Sequence, residues 1–287
     1  MRVNGIDLHY TVEGEGFPCL VPRPLNTSVL ERTLSARLRE QLQLIFFDFR
    51  GCGRSGGSLA ESNLDDVLAD VDRLRAALEH ERIGFLGWSM YSLVGVDFAL
   101  AYPDSVSRLI LVGAVPCWPS SDSYWETVAS PQRKARLTDN LARLEGSGVQ
   151  PLPPGAPESD QVVRRRAQTQ RYAAFGPRYW YDASFDCAPL YADDEWDVAQ
   201  LDWFVAQLMP RHRDVAAIAG VRPPTFLAQG VWDFNCPPTS WAETLPAFRD
   251  CTYVAFERSG HYPFYEESDI FDTALLDWLA APRPARP

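Results

Sequence analysis

The sequence predicts an α/β fold: a mostly parallel sheet of about eight strands, helices on both faces, and a helical insertion. Three observations predict it. Short apolar runs alternate with stretches of helical spacing through residues 1–116. The same rhythm resumes over 223–280, and the stretch 117–222 between them lacks it. Several apolar runs end in short polar or Gly-rich turns, where open parallel sheets place their sites, beyond the carboxyl ends of the strands.

The elements follow in order. Val3, Ile6, Leu8, Tyr10 and Val12 give a strand-like pattern interrupted by an Asn4-Gly5 turn. Cys19-Leu20-Val21 is a short strand running into Pro22-Arg23-Pro24-Leu25-Asn26-Thr27-Ser28. Leu30, Leu34 and Leu38 predict a helix over Val29–Gln41, and Leu42–Phe47 a strand. Asn63 or Ser62 caps a helix over Leu64–Leu78. Ile83–Trp88 reads as a buried strand, followed by Ser89 and an apolar helix to Ala101; Val106–Val112 is the next strand. The insertion contains helix-like stretches near Tyr124–Leu144, Asp160–Phe175, Val198–Met209 and Arg213–Ala219 and is expected to form a lid over the strand ends. Then come a strand at Pro224–Gly230, a helix near Ser240–Ala247, a strand at Thr252–Phe256 and a helix near Asp269–Leu279. The Pro/Arg-rich 281–287 reads as a disordered tail.

Composition narrows the function. A chain of 287 residues is ample for one large core, with or without an inserted smaller unit. A formal net charge of −11 argues against nucleic acid and anionic membrane surfaces. No run has the length of a bilayer span, and no apolar leader of signal type precedes the first strand. The six cysteines are scattered, with no C-x-x-C or His/Cys cluster, so reduced thiols in a cytoplasmic protein and no metal or cofactor are expected. Oligomeric state is not legible.

The chemistry-bearing residues sit at three strand ends. Gly87-Trp88-Ser89-Met90-Tyr91 has the first Gly of G-x-S-x-G but Tyr in place of the second. A Ser hydroxyl needs a base, and the base an orienting acid. Of His9, His80, His212 and His261, only His261 follows a late strand, in Arg258-Ser259-Gly260-His261-Tyr262-Pro263. Asp233 ends the preceding strand, in Gly230-Val231-Trp232-Asp233-Phe234. The order Ser89, Asp233, His261 is that of one nucleophile–acid–His fold.

With these pieces the chain resembles an α/β-hydrolase, and more narrowly the branch of proline iminopeptidases and their esterase relatives. Asp48-Phe49-Arg50-Gly51-Cys52-Gly53-Arg54-Ser55 resembles D-x-R-G-x-G-x-S, the loop from Gly230 to Pro238 resembles an iminopeptidase acid loop, and Ser259-Gly260-His261 resembles S-G-H. The resemblance covers the chain except the lid. It implies a Ser89–Asp233–His261 triad and a serine hydrolase of small carboxylic esters, lactones or amides. Alternatives are an iminopeptidase, or a non-hydrolytic or binding member of the fold. The resemblance also implies two oxyanion donors, Met90 N–H and one from the loop after Val21. That loop has neither the expected His nor the glycines, and counting back from Asp48 puts Arg23 at the donor position. Tyr91 either fills the space of the absent glycines, offers a replacement donor, or packs between sheet and helix. Trp88, Tyr91, Phe234 and Tyr262 are candidates for the substrate pocket. The acidic run Asp193-Asp194-Glu195 with Asp197 either holds a substrate ammonium, as iminopeptidase-like lids do, or is a solvated face. Arg50 is expected to be structural.

Overall fold

The computed structural model describes residues 1–116, 179–182, 185–191, 194, 197–212, 215–242 and 244–282. The helices expected near Tyr124–Leu144 and Asp160–Phe175, the side chains of Asp193, Glu195 and Trp196, and the tail beyond 282 lie outside them.

Seven strands form one sheet: β3 (Tyr10–Glu13), β4 (Phe17–Pro22), β5 (Leu42–Phe47), β6 (Ile83–Trp88), β7 (Val106–Val112), β8 (Thr225–Gly230) and β9 (Cys251–Phe256). Their spatial order is β3-β5-β4-β6-β7-β8-β9. Only β3 runs antiparallel, against β5; every other pairing is parallel. Among the described residues β1 (Arg2–Val3) and β2 (Ile6–Asp7) pair with each other as a separate hairpin around Asn4-Gly5.

Central strands buried on both faces need continuous apolar runs rather than alternation. β6 and β8 are buried at every residue. Successive side chains still point to opposite faces. Leu20, Ile45, Phe47, Phe85, Leu109 and Leu227 thus enter one core with helices α3 (Leu64–Ala77) and α4 (Tyr91–Ala101). Val21, Phe46, Leu86, Ile110 and Phe226 enter the other, with the helix that closes the chain.

The helices start where caps permit. Asn63 and Asp66 make a reciprocal capping box at α3. The helix expected over Val29–Gln41 is broken in two, α1 (Val29–Thr33) and α2 (Ala36–Arg39), because the Ser35 side chain accepts from Leu38 N–H and starts a new turn. Between β7 and β8 lies α5 (Val198–Arg211), capped by Asp197. The helix expected near Ser240–Ala247 is instead two 3₁₀ turns, Pro238–Trp241 and Leu245–Ala247, each with a proline at its start. After β9 come α6 (Pro263–Glu266) and α7 (Ser268–Ala280). No described helix is long and apolar enough to cross a membrane.

Candidate active site

Ser89 joins β6 to α4 with φ +57°, a left-handed conformation that L-residues with a side chain avoid. Two contacts hold it there. Its N–H bonds to Val112 O of β7 at 2.9 Å, and its carbonyl takes Ser92 N–H at 3.0 Å. A Cβ on Gly87 would lie 2.6 Å from Ser92 Cα and Tyr91 O, so the turn is this tight only with glycine there. Ser89 is half-buried between the buried Trp88 and Met90. Met90 caps α4, where the first N–H groups of a helix have no partner within it.

His261 and Asp233 meet beside this turn. His261 Nδ1 lies 2.7 Å from Asp233 Oδ2, and both side chains are almost wholly buried. The other oxygen of Asp233 accepts from Asn235 N–H at 2.8 Å and Cys236 N–H at 2.7 Å. These donors occupy Oδ1 and leave Oδ2 to the imidazole. The His261 ring packs on Trp88, with centroids 5.0 Å apart, and Trp88 Nε1–H donates to His261 O at 2.9 Å. Trp88 precedes Ser89, so His261 packs on the residue next to the Ser turn. Gly113, at φ +54°, closes the other side: a Cβ there would stand 3.0 Å from His261 Nδ1.

The loop after β4 departs from the sequence expectation. Arg23 offers no free backbone donor, because its N–H bonds to Phe47 O at 2.9 Å and continues the sheet ladder. Its side chain turns into a buried ion cluster with Glu31 (2.6 Å) and Asp48 (3.1 Å). Pro24 has no N–H. The next donor, Leu25 N–H, bonds to the Tyr91 hydroxyl at 3.1 Å. Leu25 and Asn26 take φ +52° and +62°, so the loop keeps a glycine-like backbone without glycine. Two carboxylates hold it. Asp194 accepts from Ser28 N–H at 3.0 Å and from Arg32 at 2.9 Å. Asp197 donates its N–H to Leu25 O at 3.3 Å and accepts from Asn26 at 3.4 Å.

Comparison with known proteins gives the fold family. The family model described as "alpha/beta hydrolase fold" matches residues 23–268. The chain belongs to this family. The hydrolase is 29% identical over 285 residues to the AB hydrolase superfamily protein YclE of Bacillus subtilis (strain 168), covering 96% of each chain. It is 26% identical over 279 residues to the pimeloyl-[acyl-carrier protein] methyl ester esterase of Aliivibrio salmonicida (strain LFI1238), covering 95% of each. Among solved structures, an alpha/beta fold family hydrolase from Bacillus anthracis str. Sterne superposes with TM-score 0.68 at 20% identity over 94% of both chains, a likeness of fold.

Not every sequence candidate falls together in the hydrolase. Trp88 and Tyr262 share one aromatic cluster, with centroids 4.7 Å apart, and Tyr262 stacks on Trp180 at 4.2 Å. Tyr91 lies in the other core, stacked on Phe49 at 5.7 Å and edge-on to Phe204 at 5.4 Å. Phe234 is buried and belongs to neither cluster. Among the described residues the rings of Tyr91 and of Trp88 and Tyr262 thus pack into different core clusters. Arg50 is structural, as expected: its guanidinium grips Asp70 through two bonds of 2.6 and 2.8 Å. Burial keeps the Tyr91 hydroxyl well above its usual pKa, so it is a neutral O–H.

Sequence reasoning missed three supports. Gly113 makes room for His261. Gln229, fully buried, bonds both Ala114 N–H (2.8 Å) and Cys236 O (2.8 Å) and so fixes the Asp233 loop. Glu266 accepts the N–H of Gly260 at 2.8 Å, beside His261. The available signals were a Gln inside a buried strand and a carboxylate five residues after His261. Among the described residues one group of possible metal-ligand atoms lies together, on Asp233, Cys236 and His261. Burial pushes the Cys236 thiol well up, and Asp233 and His261 already bond each other, so this donor set suits proton chemistry better than a cation.

Proposed function

We propose that this hydrolase cleaves a small-molecule carboxylic ester through an acyl-enzyme on Ser89. The observation that carries the reading is the buried His261–Asp233 pair at 2.7 Å beside a Ser held at positive φ. Asp233 fixes the tautomer with the proton on Nδ1, which leaves Nε2 as the base. Nε2 takes the Ser89 proton as Oγ attacks the carbonyl. It returns that proton to the leaving alkoxide, and water then repeats the sequence on the acyl-enzyme.

Met90 N–H is one donor to the oxyanion. The second falls to Tyr91. Its hydroxyl accepts from Leu25 N–H, and its own proton has no acceptor among the described residues. Residues 117–222 serve as the lid in this reading. The five described free thiols are compatible with a reducing cytoplasm.

The amino-terminal peptidase alternative loses support. Of the four carboxylates offered as ammonium ligands, Asp194 and Asp197 are engaged by the loop after β4, while Asp193 and Glu195 lie outside the described residues. A lactone or amide shares the ester chemistry and stays open to the same assay. That assay compares fluorophosphonate labelling and p-nitrophenyl butyrate hydrolysis in the wild type and Ser89→Ala. Labelling and turnover should both vanish in the variant. Equal turnover by the two proteins would end the serine mechanism.

A further inference from the structure

The loop that carries His261 rests on two consecutive carboxylates. Glu267 accepts from Arg258 N–H at 2.8 Å and from the Ser259 hydroxyl at 2.6 Å. Glu266 Oε1 accepts from Gly260 N–H at 2.8 Å and Tyr262 N–H at 3.4 Å, the two amides that flank His261. Its other oxygen accepts from Tyr181 N–H at 2.6 Å. The same returning segment takes the His261 N–H on Tyr179 O at 2.6 Å. The fit is close: a Cβ on Gly260 would lie 2.1 Å from Tyr179 O. One carboxylate therefore joins both sides of His261 to the chain as it comes back toward the sheet.

We propose that Glu266 is a positioning residue for His261: its ionised carboxylate holds the imidazole in place for Ser89, and protonation of that carboxylate loosens the hold. The inference rests on the triad reading and adds a second proton to it. An ionised carboxylate is acceptor-only at both oxygens, whereas a protonated one turns one oxygen into a donor. Three N–H groups converge here, so protonation leaves an N–H facing an O–H. The surrounding charges are mixed. Asp233 faces Glu266 from the loop after β8 and Glu267 adjoins it in the chain. Arg258 and Asp182 share with it the wall of a cavity of about 250 Å³, and His261 lies between the two amides it binds. Burial, with Asp233 adding to it, pushes the Glu266 carboxyl up to about 7, against three N–H donors that pull it down. The switch thus falls in the range where a general-base His works.

The test is the pH dependence of kcat/KM for p-nitrophenyl butyrate, and of the fluorophosphonate labelling rate, in the wild type, Glu266→Gln and Ser89→Ala. In the wild type the acid limb should fall with slope two in a logarithmic plot, one proton on His261 and one on Glu266. Glu266→Gln should give slope one, with kcat about ten- to a hundredfold lower and KM unchanged, since the substrate contacts are intact. A merely structural Glu266 would lower the yield of folded enzyme and give the wild type and Glu266→Gln the same slope; that result overturns the proposal. A second measurement needs no variant: infrared titration of the wild type should show a carboxyl ionising near 7, and its absence also overturns the proposal. Activity surviving in Ser89→Ala would instead defeat the triad reading, so the two failures are distinct.

Discussion

Ser89 shows how a single residue trades stability for chemistry. Its φ of +57° costs about 1–2 kcal/mol for a residue with a side chain. Ser89→Gly should therefore be more stable than Ser89→Ala by about 1 kcal/mol, with both inactive; equal urea midpoints would mean that the turn is unstrained. Within the proposed triad, His261→Ala added to Ser89→Ala should change turnover little, because the groups act as a unit, and Asp233→Asn should keep a larger residue of activity. Tyr91 was open in three ways from the sequence; in the structure its ring packs on Phe49 and Phe204, and its hydroxyl accepts from Leu25 N–H. Tyr91→Phe separates these. If the hydroxyl is an oxyanion donor, kcat should fall about a hundredfold or more, and a boronic acid inhibitor should weaken in parallel. A packing role alone would leave inhibitor affinity unchanged. Tyr91→Gly restores the usual motif but empties a buried site, and should cost about 3–5 kcal/mol in denaturant unfolding.

At the scale of elements, the loop between β4 and α1 depends on a segment distant in sequence. Leu25 and Asn26 hold left-handed conformations that glycines would adopt freely, and Asp194 and Asp197 supply the bonds that keep them there. Asp194→Ala leaves Ser28 N–H without its carboxylate and should cost about 1–3 kcal/mol of stability. It should also slow hydrolysis of uncharged esters, because the loop carries Leu25 and through it Tyr91. An ammonium-binding Asp194 would behave otherwise: KM would rise only for substrates with a free amino group. Steady-state kinetics on a neutral ester and its amino analogue decides between them. These elements also show what was legible in the sequence. The strands at Leu42–Phe47, Ile83–Trp88 and Val106–Val112 were readable because their buried parts, Leu44–Phe47, Ile83–Trp88 and Leu109–Val112, are apolar runs. The break at Ser35 and the 3₁₀ turns after Pro237 were not, because local side-chain and proline chemistry overrode the apolar spacing. The engaged Arg23 N–H was illegible too. Counting residues back from Asp48 locates a strand end, but the hydrogen bond to Phe47 O depends on how far the ladder with β5 extends.

For the whole molecule, sheet topology brings β6, β7, β8 and β9 side by side, with Ser89, Asp233 and His261 following β6, β8 and β9, in the parallel sheet that the strand/helix alternation predicted. That alternation did not reveal Glu266, whose proposed role comes from three amides of two separate segments meeting at one half-buried carboxylate. That carboxylate also leaves a mark on global stability. Its folded pKa is raised to about 7, whereas an unfolded Glu titrates near 4.5. Between these values the native state holds a proton that the unfolded chain has released. The stability contributed by the neutral carboxyl is thus fully present below about 4.5 and is lost as pH rises through about 7. A difference of that size corresponds to about 3 kcal/mol at most. His9, lowered mainly by burial, acts in the opposite direction at acid pH, so the wild-type profile alone does not isolate Glu266. The difference between wild type and Glu266→Gln does, because every other group is common to both. The Gln variant mimics the neutral carboxyl, so it should match the wild type in stability near pH 5 and exceed it by about 2–3 kcal/mol near pH 8. Denaturant unfolding at the two pH values measures this. A constant offset between the two proteins from pH 5 to 8 would show that Glu266 ionises in the folded state as it does in the unfolded one.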